Sequence, residues 1–144
     1  MGLASLLLLL LLLSLLLPSS SSYQFYVDPF ISKPFVEKNQ TYRNLTEAIL
    51  QANTDDSATV IYLKEEYVYE LQGLIQIENE LIFQNYDSNY LVGMQSATLL
   101  MKNSSFFIKD QAKLKMKGIK IVLEGTFLSS LIGAGRATYL FLEV

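Results

Sequence analysis

Apolar and polar positions are arranged along this chain in three different ways. From Leu6 to Leu17 every position is apolar except Ser14. Further on, Leu45, Ala48, Ile49 and Ala52 fall at i, i+3, i+4 and i+7, the single apolar face of a two-turn helix. After Thr59 the pattern changes to short apolar runs divided by polar or glycine-bearing breaks. These runs are Val60–Leu63, Tyr67–Tyr69, Leu74–Ile77, Leu81–Phe83, Tyr90–Val92, Leu99–Met101, Phe106–Ile108, Leu114–Ile121, Phe127–Ile132 and Tyr139–Val144. In one of them Leu114 and Met116 alternate with Lys113, Lys115 and Lys117, as on a strand with one dry and one wet face. Tyr23–Val27 reads as a further short strand closed by Asp28-Pro29, and the segment from Phe30 to Thr41 reads as a connector around Pro34.

The first block predicts a leader. Residues 1–22 hold twelve leucines and no charged side chain, Pro18 ends any helix, and Ser19–Ser22 supply the small residues of a cleavage site. A spanning helix needs about 20 apolar residues, so this run predicts a signal peptide cleaved after Ser22 and no stable membrane span. The absence of Lys and Arg before the run leaves an uncleaved anchor as the alternative. The expected destination is the secretory route, either secreted or on the extracellular surface. The expected layout is a signal peptide over 1–22, a strand, connector and helix over 23–58, and a strand-rich region over 59–144.

Composition narrows the function classes. The chain has no Cys and no His, which excludes disulfide staples, thiol chemistry, His-based triads and ordinary zinc sites. A net charge of −3 with a sequence pI near 4.9 speaks against nucleic acid as a partner. Nine Tyr and eight Phe supply enough apolar surface for one core. Three sequons, Asn39-Gln40-Thr41, Asn44-Leu45-Thr46 and Asn103-Ser104-Ser105, predict a glycoprotein. Asn44 has a second reading as the N-cap of the helix, with Glu47 three residues on.

Charge is unevenly spread: six lysines lie between Lys102 and Lys120, while ten of the fourteen acidic residues precede Asn85. Lys113, Lys115, Lys117 and Lys120 form a candidate face for an anionic glycan such as a uronate polymer, or else a solvated strand face whose lysines discourage edge pairing. Tyr62, Tyr67, Tyr69, Tyr86 and Tyr90 form a candidate platform for sugar rings, or else core and stacking residues. Asp87, Asp110 and Glu124 are isolated carboxylates without the spacing of an acid/base pair or a calcium cluster. Gly133-Ala134-Gly135 before Arg136 reads as a turn, since no phosphate-loop spacing follows it. No catalytic residue, metal ligand or cofactor site is assigned.

Many short strands with no Asn-Gly or Asp-Gly hairpin turn point to stacked coils of an all-β solenoid rather than to hairpins. Tyr42-Arg43-Asn44-Leu45-Thr46-Glu47-Ala48-Ile49, followed by Val60–Leu63 and Tyr67, resembles the N-terminal cap of pectin-lyase-like proteins, and Leu114–Ile121 is similar to their coil consensus. The resemblance implies an all-β, right-handed parallel β-helix of about three coils with a short N-terminal capping helix. It also implies extracellular polysaccharide, or another protein chain at an open C-terminal edge, as the partner. The expected function is a non-enzymatic structural, adhesive or glycan-contact module. The alternative is the N-terminal part of a polysaccharide-processing enzyme, pectin lyase or pectinesterase in type, whose site lies beyond Val144. A small sandwich-type binding domain, with hairpin connectivity, is a third reading.

Overall fold

The computed structural model describes residues 2–16, 22–86, 96–124, 132–134 and 139–143, with the backbone alone for 13–16 and after 124. The leucine run forms helix α1 (Leu3–Leu16), on which Leu3 and Leu6 to Leu12 are exposed. No helix among the described residues is long and apolar enough to cross a membrane. Strands β1 (Tyr23–Val27), β2 (Phe35–Val36) and β3 (Thr41–Tyr42) follow, then helix α2 (Leu45–Thr54). After α2 come β4 (Thr59–Leu63), β5 (Val68–Ile77), β6 (Glu80–Asn85) and β7 (Thr98–Ile108). The chain continues through β8 (Lys113–Lys117), β9 (Lys120–Glu124), β10 (Ile132–Ala134) and β11 (Tyr139–Glu143).

These strands assemble into a seven-stranded sheet in the order β11-β8-β6-β4-β1-β3-β2 and a four-stranded sheet in which β7 pairs with β5, β9 and β10. Among the described residues every strand pairing is parallel except β2 with β3. Alternation decides what faces inward. Phe25, Ile61, Phe83 and Met116 lie side by side in register on the inner face of the large sheet, and all four are buried. Tyr69, Leu71, Ile75 and Ile77 of β5, with Leu99, Met101, Phe106 and Ile108 of β7, face them from the small sheet.

The all-β, right-handed parallel β-helix of about three coils is corrected by this arrangement. Among the described residues helix makes up 22% and strand 49%, in two mostly parallel sheets in which no closed or solenoid β-helix is found, so the class is mixed α/β. One cause is α1, a leucine-rich segment that favours helix strongly. The other is that runs read as separate short strands are joined. Val68 and Tyr69 of the first run and Leu74–Ile77 belong to β5, and Leu99–Met101 and Phe106–Ile108 to β7. The joints are Gly73, at φ 75°, and Asn103, at φ 45°, where the register slips from Gln72↔Lys102 to Gly73↔Ser104. Asn103 is the extra residue of a β-bulge, a conformation that Gly and Asn adopt most readily. The bulge returns Phe106 and Ile108 to the inner face, opposite Ile75 and Ile77. The runs Tyr90–Val92 and most of Phe127–Ile132 lie outside the described residues, as do the Ser19–Ser21 part of the cleavage segment and Asp87.

Helix α2 buries the four residues of its apolar stripe, Leu45, Ala48, Ile49 and Ala52. Asn44 caps its start, accepting a hydrogen bond from the Thr46 N–H at 2.8 Å, a contact worth about 1 kcal/mol. Near its end, Asn53 ties the helix to β5: its Nδ2 donates to the Gln76 carbonyl at 2.8 Å and its Oδ1 accepts from Glu78 N–H at 3.1 Å. A side-chain amide thus satisfies strand-edge groups that a further strand would otherwise pair.

Asn85, the last residue of β6, performs a related service between the sheets. Its Nδ2 donates to the Gly118 carbonyl at 2.6 Å, and its Oδ1 accepts from the Ala97 N–H at 2.9 Å. Gly118 stands at φ 65°, and a Cβ there would meet Asn85 Nδ2 at 2.9 Å, so glycine is required at this corner. Ala97 is fully buried, and replacing Asn85 by alanine leaves its N–H without an acceptor. The expected cost is about 2 kcal/mol, read as a lower urea midpoint. A loss below about 0.5 kcal/mol would show that a water replaces the amide.

Candidate functional site

The alternation that buries Phe25 and Val27 turns Tyr26 outward, and in β4 the burial of Ile61 and Leu63 does the same for Tyr62. Parallel pairing sets Tyr26 opposite Tyr62, and their rings stack with centroids 5.0 Å apart and planes 16° from parallel. Tyr86 follows the end of β6, where its N–H donates to the Leu63 carbonyl at 2.7 Å. Its ring meets Tyr26 edge to face at 5.3 Å and is 61% exposed.

Beside this cluster lies a cleft of about 600 Å³, within the size range of small-ligand sites. Tyr26, Asp28, Ile31, Asn39, Lys64 and Tyr86 line it. The Asp28 carboxylate holds the floor in shape by accepting the Phe30 N–H at 3.0 Å, a turn prepared by Pro29. Lys64 reaches over the Phe30 ring at 5.1 Å, a cation–π contact at the rim. The opposite wall is the β2–β3 ribbon, whose connection runs through a 3₁₀ turn at Glu37–Asn39 and Gln40 at φ 48°. The cleft therefore combines exposed aromatic surface with one carboxylate, one ammonium and an amide.

The five tyrosines proposed as a platform do not act together. Tyr62 and Tyr86 are in the cluster, and Tyr90 lies outside the described residues. Tyr69 is a core residue, only 4% exposed. Its hydroxyl donates to the Val27 carbonyl at 3.2 Å and accepts from Lys64 N–H at 2.8 Å, and burial is the chief cause that pushes its pKa up to about 12. Tyr67 is half-buried against Tyr69 and Phe30. Tyr26 was missed because its partner stands far along the chain. The available signal was that Tyr26 and Tyr62 each hold the outward position before the last residue of a five-residue strand.

The lysines divide as well. Lys113, Lys115 and Lys117 project from one side of β8, with Leu114 and Met116 on the other, whereas Lys120 belongs to β9 in the small sheet. Parallel pairing brings the acidic first half of the chain against the basic second half. Lys115 lies 2.6 Å from Glu80, Lys113 3.9 Å from Glu80, Lys109 2.7 Å from Glu78, and Lys102 3.1 Å from Glu70. Hydrogen bonds from Gln72 and Lys102 hold the Glu70 carboxyl below its ordinary pKa, and Glu70 in turn raises that of Lys102. Exposed pairs of this kind add little to stability, yet they cancel much of the field that would draw in a polyanion.

All three sequon asparagines are exposed: Asn39 on the cleft wall, Asn44 at the α2 N-cap and Asn103 at the β7 bulge. The cap at Asn44 uses Oδ1, so its Nδ2, the atom that carries an N-glycan, is not the capping atom. Asp110 and Glu124 lie on separate segments, and Arg136 is outside the described residues. Among the described residues no group of three or more acidic side chains is arranged to hold a metal ion. No protein family, curated protein or solved structure matches the chain.

Proposed function

We propose that this chain is a secreted, non-enzymatic glycan-contact module that holds a neutral oligosaccharide in the cleft beside Tyr26, Tyr62 and Tyr86. The observation that carries this reading is the aromatic cluster itself. A stacked tyrosine pair on a sheet surface, joined by a third and largely exposed tyrosine, opens onto a cleft rimmed by Asp28, Asn39 and Lys64. Sugars present apolar C–H faces and a ring of hydroxyls, and tyrosine offers an apolar face with a polar tip. Asp28 accepts hydroxyl hydrogen bonds and Lys64 donates them, and their opposite charges favour a neutral ligand over a uronate polymer. The leader over residues 1–22 supports delivery through the secretory pathway.

The test is binding of the secreted chain, stripped of its N-glycans, to a panel of neutral and uronate oligosaccharides, with Tyr86→Ala treated in the same way as the variant. Tyr86 is exposed and its backbone hydrogen bond survives the change, so the fold is expected to hold. An aromatic contact worth about 1.4 kcal/mol corresponds to a tenfold loss of affinity. The reading is overturned if no neutral oligosaccharide binds, or if Tyr86→Ala binds as well as the parent.

A further inference from the structure

The wall of the cleft carries a sequon. Asn39 is exposed, lies in the turn that closes the β2–β3 ribbon, and lines the cleft with Tyr26, Asp28, Lys64 and Tyr86. Neither Asn44 nor Asn103 lines it. Thr41, the hydroxyl residue of the sequon, donates its Oγ1 hydrogen to the Asn39 carbonyl at 3.3 Å and lines the same wall.

We infer that an N-glycan on Asn39 folds back into the aromatic cleft and occupies it in cis, so that glycosylation at this one site regulates access of outside sugars. The inference rests on the glycan-contact reading of the cleft and extends it to the regulation of that site. Attachment follows the ordinary course of N-glycosylation in the secretory pathway. Asn39 Nδ2 forms a bond to C1 of the first sugar of a lipid-pyrophosphate-linked donor and loses one proton. The C1–O bond of the donor breaks, and the lipid pyrophosphate leaves with that electron pair. Once attached, the first sugars hang at the mouth of the cleft. A tether this short sets an effective concentration on the order of millimolar, enough for even a weak aromatic–sugar contact to fill the site. An outside oligosaccharide must then displace a covalently held competitor. A chain lacking the Asn39 glycan has the cleft open, and the glycan at Asn103, on the bulge of the small sheet, has no part in this competition.

The experiment uses the secreted glycoprotein in its native state. An amidase that removes N-glycans is added, and release at each sequon is followed by mass spectrometry of the peptides, in the parent and in Tyr86→Ala. Release at Asn39 is expected to be at least tenfold slower in the parent than in Tyr86→Ala, while release at Asn103 is the same in both. Equal rates at Asn39, or an Asn39 that carries no glycan in the secreted chain, overturn the inference. A second arm compares oligosaccharide binding by the glycosylated parent and by Asn39→Gln, which is expected to bind at least tenfold more tightly. If Asn39→Gln binds sugar but the Asn39 glycan is not protected, the cis occupancy fails and the glycan-contact reading stands. If the glycan is protected and no free sugar binds to either chain, there is no outside sugar whose access is regulated, and the glycan-contact reading and the inference fail together.

Discussion

Phe83→Ala is expected to destabilise the protein by about 4 kcal/mol, the largest single loss on this fold. Phe83 is wholly buried on an interior strand of the large sheet, between Ile61 on β4 and Met116 on β8. Its ring also meets Phe106 of the small sheet, with centroids 6.3 Å apart. Truncation removes the transfer free energy of the ring and leaves a cavity that strands fixed on both sides in parallel register cannot collapse to fill. The urea midpoint should fall without a change in slope, because the surface exposed on unfolding is nearly the same. Ile82→Ala, on the outward face of the same strand, is the control and should cost less than half as much. If the two losses were equal, the sheets would not share a core through Phe83.

The second large effect is alkaline. The Tyr69 hydroxyl is raised to about 12, chiefly by burial and further by Asp28 and Tyr67, while its hydrogen bond from the Lys64 backbone works in the opposite direction. In the unfolded chain a tyrosine titrates near 10. The folded state therefore binds this proton more tightly. The associated stability is complete below pH 10 and is lost as pH rises from about 10 to about 12. The full loss is on the order of 3 kcal/mol for one such group. Tyr42 is also raised, first by burial and then by Asp55 and Glu47, and contributes in the same direction. Tyr69→Phe separates the two. At neutral pH it is less stable by about 1–3 kcal/mol, since Val27 and Lys64 lose a buried partner, but its stability should fall less between pH 10 and 12. Equal slopes for the two chains would show that Tyr69 does not titrate with unfolding.

Local periodicity was legible wherever one element owned it. The spacing of Leu45, Ala48, Ile49 and Ala52 located α2, and the alternation around Leu114 and Met116 located β8 and its buried face. What periodicity could not deliver was partnership. Met101 and Phe106 are an odd number of positions apart, which breaks a period of two. Only the bulge at Asn103 makes both of them inward residues of one strand. The same blindness affected charge: Glu78 and Glu80 belong to the acidic half of the sequence, yet parallel pairing places them against Lys109, Lys113 and Lys115. Tyr26 and Tyr69 show the same limit. Which tyrosine is wet and which is buried follows from the strand each one faces, and no local pattern holds that information.

Parallel register also governs how this chain can begin to fold. Apart from the two-residue β2–β3 ribbon, no strand among the described residues pairs with its neighbour through a hairpin. Among pairings of five residues or more the tightest are Thr59 with Leu81 and Thr98 with Lys120, each joining positions 22 apart. Closing a loop of that length costs about 3 kcal/mol of chain entropy before the ladder returns anything. The two earliest ladders are therefore β4–β6 and β7–β9, one in each sheet, and each must form without the other's help. The hydrophobic faces they expose while waiting to meet make the interval between collapse and docking the stage at which this small protein is most open to misassembly.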